Sequence, residues 1–101
     1  MVSEEKTIQM KELIGTFAEN KDIAREVRIK EIMPDLFDKK VIVLDFEGVT
    51  GATQSFIHAL IAAPIREYTD EAFEYIIFKN CNGAVQEIIN VVADYLAESI
   101  A

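Results

Sequence analysis

The amino-acid sequence predicts a small α/β domain whose elements follow the order β-α-β-α-β-α around a mainly parallel sheet. The segment from Val41 to Phe46 opens with four consecutive apolar residues, which is typical of a strand buried on both faces. Further β-prone segments precede and follow it, and both connections are long enough for a helical crossover. Because such crossovers are right-handed, this strand is expected to lie between the other two. Residues 1–101 are expected to form one domain.

The first half of the chain is predicted to supply the first strand and the first long helix. Residues from Thr7 to Met10 alternate between polar and apolar types, which favours a short strand at or near a sheet edge. The segment from Leu13 to Phe17 is expected to fold back onto the core. Asn20 is a good N-cap for a helix that begins at Lys21. Pro34 is expected to kink or break that helix, because proline lacks a backbone donor.

The second half is predicted to contribute two helices and the third strand. Thr53 suits the N-cap of a helix that follows the central strand, and Pro64 is expected to kink or restart that helix. The residues from Glu74 to Lys79 are β-prone and predict the third strand. The last helix is expected to present an apolar face formed by Val85, Ile88, Ile89, Val92, Tyr95 and Leu96.

The composition excludes several classes of partner and location. A formal net charge of -8 argues against a surface that binds nucleic-acid phosphates. A single cysteine cannot form an internal disulfide, and no apolar run approaches the length that crosses a membrane. No signal peptide is visible at the N-terminus. The sequence therefore predicts a cytoplasmic protein that binds neither nucleic acid nor membrane.

The residues that catalysis commonly uses are scarce. His58 is the only histidine and Cys81 the only cysteine, so these residue types cannot form a metal-binding set. Ser55 lacks the G-x-S-x-G setting of a hydrolase nucleophile. The glycines Gly48 and Gly51 lack the Gly-Lys-Ser/Thr ending of a phosphate-binding loop. These absences favour a protein that is not an enzyme and that holds no metal or cofactor.

Asp45 ends the central strand, a position that resembles the phosphate acceptor of response-regulator receiver domains. That chemistry also needs an acidic pair after the first strand, and the residues after Met10 read Lys-Glu-Leu instead. The simpler interpretation is that the carboxylate of Asp45 caps the turn at Gly48.

The strings LDFEGV (residues 44–49) and TQSF (residues 53–56) carry a family resemblance. They resemble the core motif of the STAS-like family of unknown function, which is distantly related to the STAS domains of anti-anti-sigma factors. The likeness extends more weakly from Ile8 to about Tyr95. The resemblance implies a STAS-like fold and a role in regulation.

The resemblance also places a docking site on the turn and helix start after the central strand. In anti-anti-sigma factors the matching segment reads D-S-S-G, and a GHKL-type kinase phosphorylates its first serine. In this alignment Thr53 matches the aspartate, Gln54 the phosphorylated serine and Ser55 the second serine. The residues expected to contact a partner are Thr50, Gly51, Thr53, Gln54, Ser55 and His58.

These observations predict a regulatory protein-interaction module, and the resemblance implies a GHKL-type ATPase as its partner. One alternative is a switch that accepts a phosphoryl group on Ser55, Thr53 or Asp45. A phosphate on either hydroxyl would lie at a helix N-terminus, which stabilises negative charge. A further alternative is a structural subunit of a homo-oligomer, such as a homodimer, that uses an incompletely covered face of the sheet.

Overall fold

The computed structural model describes residues 5–100. The strands are β1 (Glu5–Gln9), β2 (Phe17–Ala18), β3 (Val41–Asp45), β4 (Gly51–Ala52) and β5 (Ile76–Lys79). The helices are α1 (Met10–Ile14), α2 (Lys21–Val27), a π-helical turn (Arg28–Ile32), α3 (Met33–Phe37), α4 (Gln54–Tyr68), α5 (Asp70–Tyr75) and α6 (Gly83–Ile100).

The main sheet contains three parallel strands in the order β1-β3-β5. In this register Thr7 of β1 lies beside Val43 of β3, and Val43 lies beside Ile77 of β5. The prediction of a parallel α/β fold with the Val41 strand at its centre is therefore confirmed. The strand ends at Asp45, one residue earlier than predicted, and Phe46 remains fully buried just beyond it.

The helices pack against one face of this sheet. Ile42 and Leu44 point to that face and are fully buried in the core cluster. Val43 and Ile77 alternate to the other face and lie outside that cluster. Val43, on the central strand, is only 5% exposed, whereas Ile77, on the edge strand, is 41% exposed. The last helix, α6, packs mainly along α4 and β4, so its apolar face completes the helical layer.

The region around the first strand differs from its prediction. The strand begins two residues earlier than expected, at Glu5, and Met10 starts the short helix α1 with its side chain fully buried. Leu13 and Phe17 do not fold back onto the core, because their side chains are 46% and 45% exposed. The expectation for this segment was therefore wrong for Leu13 and Phe17, whereas Ile14 is partly buried and packs against the core as predicted.

The helix after residue 20 is confirmed, but Pro34 does not break it. The side chain of Asn20 accepts hydrogen bonds from the backbone N–H groups of Asp22 and Ile23, at 2.9 and 3.3 Å. The chain then stays helical through the π-helical turn and into α3. Pro34 is the second residue of α3 and follows the π-helical turn directly.

Two further boundaries in the second half also differ. Pro64 lies inside α4, which continues to Tyr68 while Pro64 itself is buried. The third strand starts at Ile76, because α5 extends to Tyr75 and the N–H of Ile76 donates to the carbonyl of Ala72. The prediction that Tyr95 lies on the buried face of α6 was wrong, because this residue is 61% exposed.

Candidate functional site

The carboxylate of Asp45 holds the turn that follows the central strand. Its Oδ1 accepts a hydrogen bond from the N–H of Glu47 at 2.9 Å and another from Nδ2 of Asn80 at 3.1 Å. The residue is only 6% exposed. The Glu47 N–H and then the Asn80 amide lower the pKa of Asp45, and together they outweigh the opposing effect of desolvation. The capping role predicted for this side chain is confirmed.

Gly48 allows this turn to close. Its φ of +83° lies in the region that favours glycine, and a Cβ at this position would lie 2.6 Å from Cδ of Lys11. The N–H of Val49 then donates to the carbonyl of Phe46 at 3.0 Å. The turn therefore needs the left-handed backbone that glycine favours, whereas the flexible end of the Lys11 side chain could move aside for a Cβ.

Thr50 and Gly51 are held by the short ladder between β2 and β4. The N–H and the Oγ1 of Thr50 both donate to the carbonyl of Thr16, at 2.7 and 2.9 Å. Its own carbonyl accepts from Nδ2 of Asn82 at 3.0 Å. Gly51 is buried, and a Cβ there would lie 2.7 Å from Cε1 of Phe17. Thr50 and Gly51 therefore hold the predicted surface in position. The exposed aromatic ring beside Gly51 is that of Phe17.

Thr53 caps α4 as the sequence predicted. Its Oγ1 accepts from the N–H of Phe56 at 3.0 Å, and its own N–H donates to the carbonyl of Ala18 at 2.9 Å. These bonds fix the direction in which α4 leaves the sheet. The hydroxyl of Thr53 is consequently already engaged within the domain.

Gln54, Ser55 and His58 meet at a groove of about 530 Å³. The first two side chains are exposed and the third is half-buried. Within residues 5–100, none of the three makes a side-chain hydrogen bond to the rest of the chain. We call this feature the α2–α4–α6 groove, and its lining residues are Lys21, Gln54, Ser55, His58, Ala59, Val91, Val92 and Tyr95.

Comparison with known proteins identifies the family. Residues 24–86 match the family described as a STAS-like domain of unknown function, which is more than half of the chain. The chain belongs to this STAS-like family. Searches of the curated proteins and of the solved structures found no match. The match is shorter at both ends than the likeness noted in the sequence, which ran from Ile8 to about Tyr95.

In this STAS-like domain the family match covers one wall of the groove. The residues of α4 that line it lie inside the matched region, whereas Lys21 of α2 and Val91, Val92 and Tyr95 of α6 lie outside it. The patch predicted from the sequence included none of these four residues. Lys21 follows the N-cap of α2, and only the packing of α2 and α6 on α4 brings their residues to the predicted site. The aromatic side chain of Tyr95 could have indicated a binding surface, but its helical spacing with Val92 and Leu96 predicted a buried position instead.

The groove combines two kinds of chemistry. Val91 and Tyr95 expose 46% and 61% of their surface, so the α6 wall offers apolar area to a ligand. Gln54 and Ser55 offer donors and acceptors on the α4 wall, and Lys21 adds a positive charge. Such a mixture suits a peptide or protein surface that has both apolar and polar groups.

Residues 5–100 contain no group of three His, Cys, Asp or Glu side chains that could hold a metal ion. No helix in the same part of this STAS-like chain is long and apolar enough to cross a membrane.

Proposed function

We propose that this STAS-like chain is a non-enzymatic regulatory module that binds another protein through the α2–α4–α6 groove. The observation that supports this proposal is the convergence of Gln54, Ser55 and His58 on one groove beside exposed apolar residues of α6. All three positions belong to the patch that the sequence predicts. The remaining residues of the predicted patch, Thr50, Gly51 and Thr53, shape the turn and the helix start that present them.

The lining of the groove favours a protein partner. Tyr95 is exposed, aromatic and held on a long helix, and tyrosine is among the residues that contribute most to interface affinity. The exposed side chain of Val91 extends the same apolar wall. Gln54 can read a partner backbone, because its amide both donates and accepts hydrogen bonds. A partner segment with an apolar anchor and adjacent polar groups would satisfy both walls.

The partner that the family resemblance implies is an ATPase of the GHKL type. STAS-like proteins of this family often occur with such ATPases, and the docking segment of the related anti-anti-sigma factors aligns with residues 53–56 of this chain. The regulatory role follows from that pairing, since binding would control the activity or availability of the ATPase.

The deciding experiment measures binding of a purified GHKL-type ATPase from the same genome to the intact chain and to its variants. Gln54→Arg places a long charged side chain in the groove and should reduce binding by at least about tenfold. The melting temperature should stay unchanged, because Gln54 is exposed. Ala97→Arg is the matched control, since it adds the same side chain to an exposed helical position outside the groove.

A second variant tests the apolar wall of the groove. Tyr95→Ala should weaken binding by about 2 kcal/mol, as is typical for a tyrosine at the centre of an interface. Equal binding by the wild type and both variants would exclude the groove as the docking surface. If the wild type does not bind the ATPase, the ATPase is not the partner.

A phosphoryl-accepting switch is a second candidate, and Ser55 is the residue that supports it. Ser55 is exposed in the first turn of α4, and the cationic Lys21 lines the same groove. Intact-mass measurement after incubation with the ATPase and ATP should show one added phosphate in the wild type and none in Ser55→Ala. Incubation with a small phosphodonor and magnesium tests Asp45 separately. An unchanged mass in that reaction would exclude Asp45 as an acceptor.

A further inference from the structure

The two edges of the main sheet differ in their protection against pairing with another strand. On the β1 edge, Lys6 points toward the helices, where Nζ lies 2.7 Å from Glu31 and 3.2 Å from Asp35. An inward charge of this kind on an edge strand opposes the addition of another strand. On the β5 edge, Ile76, Ile77 and Phe78 carry no charge before Lys79 is reached. The β5 edge is therefore the one that another chain can extend.

The backbone of β5 offers hydrogen-bonding groups along that edge. The carbonyl of Lys79 accepts from the N–H of Phe46, so Lys79 and Ile77 direct their backbone groups to β3. Ile76 and Phe78 alternate with them and direct theirs outward. The N–H of Ile76 already donates to Ala72. In the described part of the chain, the carbonyl of Ile76 and both backbone groups of Phe78 therefore face the open edge.

An apolar groove of about 220 Å³ runs beside this edge on the helical side of the sheet. Phe73 of α5 lines it and is 46% exposed. The α6 side of the groove consists of Gln86, Ile89, Asn90 and Ala93, and none of these residues is charged. Ile89 and Ala93 are apolar, and Nε2 of Gln86 donates to Oδ1 of Asn90 at 2.8 Å, so part of the hydrogen-bonding capacity of this wall is already satisfied. This groove uses a different side of α6 from the α2–α4–α6 groove, so both surfaces can be occupied together.

We propose that the β5 edge binds a second copy of this chain, so that two main sheets join into one through antiparallel β5 strands. A two-fold axis at Ile77 places the N–H of Phe78 opposite the carbonyl of Ile76 of the second copy, and the reciprocal bond forms by symmetry. The two Ile77 side chains then meet on the open face of the sheet. The outward donors and acceptors of β5 are complementary to those of a second β5 strand, and we therefore take a second copy of this chain as the occupant.

The charges at the two ends of the strand support the same arrangement. Glu74 precedes β5 and Lys79 ends it, and both side chains are exposed. Antiparallel pairing brings the Lys79 end of one copy to the Glu74 end of the other, so opposite charges meet twice. Parallel pairing would bring like charges together. The edge is only four residues long, so the dimer is expected to be transient, with a dissociation constant in the micromolar range.

Sedimentation equilibrium of the full chain over a dilution series tests the proposal. The wild type should pass from monomer to dimer as the concentration rises. Ile77→Lys places two like charges opposite each other at the axis and should weaken the dimer by at least about tenfold. Thr7→Lys lies in the same row of the open face but on the β1 edge, and should leave the dimer unchanged. Circular dichroism should show that both variants fold.

The second test of the dimer exchanges the charges at the two ends of β5. Glu74→Lys and Lys79→Glu should each weaken the dimer, and the double variant should restore it, because the opposite charges again meet. A wild-type chain that is monomeric at about 1 mM would overturn the proposal and leave the edge to a strand of a different protein. Equal loss in Thr7→Lys and Ile77→Lys would also overturn it, since pairing would then occur through the sheet face. Failure of the double variant to restore the dimer would rule out antiparallel pairing.

Discussion

The strand-end turn (residues 45–51) and the helix start (residues 54–58) lie close together in the chain, yet their polar groups have different roles. In the turn, Asp45 and Thr50 make hydrogen bonds to Glu47, Asn80 and Thr16 of the same domain. At the helix start, the side chains of Gln54 and Ser55 are exposed and line a groove. A polar residue near the end of a strand therefore does not by itself indicate a binding site. Those that are satisfied internally build the surface, and the others are available to a ligand.

The largest effect is expected from Gly48→Ala in the strand-end turn. A side chain at φ +83° costs about 1–2 kcal/mol, and the new Cβ would also displace Lys11. The free energy of unfolding, measured by urea denaturation, should fall by at least this amount. Adding Lys11→Ala to this variant separates the two causes, because it removes the side chain that the new Cβ would meet and leaves the backbone cost in place.

Gly83→Ala completes this series as the control. A Cβ at Gly83 meets nothing within 4 Å, and its φ lies outside the region that favours glycine. Alanine there should leave stability unchanged or raise it, because alanine is the better helix former. If Gly48→Ala costs no more than Gly83→Ala, the turn is not rigid and the comparison between the two stretches fails.

A smaller effect is expected from Thr53→Ala, at the boundary between the two stretches. This substitution removes the hydroxyl that accepts from the N–H of Phe56 and should cost about 1 kcal/mol. Thr53→Ser keeps the hydroxyl and should retain nearly all of the stability. Thermal denaturation of the three proteins provides the measurement. Equal loss in both variants would show that the methyl group of Thr53 matters and the cap does not.

The sequence predicted the parts of this region that depend on local rules. The central strand followed from an unbroken apolar run, and the caps at Asp45 and Thr53 followed from the preference of short polar side chains for turns and helix starts. The parallel order followed from the handedness of crossovers. The strand and the caps depend mainly on neighbouring residues, and the strand order follows from a general rule of topology, so a single sequence is enough to find them.

The features that the sequence missed depend on contacts between distant segments. The β2–β4 ladder is only two residues long, which is too short for any periodic pattern. Pro64 stays inside α4, a helix whose neighbouring residues Ile61 and Ile65 are buried in the core. Lys21 and Tyr95 reach the groove only through the packing of α2 and α6 on α4. Half of the residues that line the groove therefore reach it only through tertiary packing, which the sequence pattern does not reveal.

A still smaller effect is expected from the titration of Asp45. The N–H of Glu47 and the amide of Asn80 lower its pKa below the ordinary 3.8, so the carboxylate stabilises the folded state. This stabilisation is complete above pH 3.8 and is lost as the pH falls through the lower pKa of the folded state. The loss is limited, because the protonated carboxyl still has an oxygen that can accept from Glu47.

The comparison that isolates Asp45 is Asp45→Asn, since asparagine keeps an acceptor oxygen but does not titrate. Stability measured at a series of pH values should fall more steeply below pH 3.8 in the wild type than in this variant. The difference between the two curves removes the contribution of all other carboxylates. Parallel curves would mean that the charge of Asp45 adds nothing to its capping role.

The smallest effect on stability is expected from Gln54→Ala combined with Ser55→Ala. Both side chains are exposed and neither is hydrogen-bonded to another side chain of the described residues, so the free energy of unfolding should change by less than about 0.5 kcal/mol. Thr53 would still cap the helix. A substantially larger loss of stability would show that these side chains, like those of the turn, stabilise the fold. An unchanged stability together with lost binding of the ATPase would separate the two stretches completely, because only the helix start would then act on a partner.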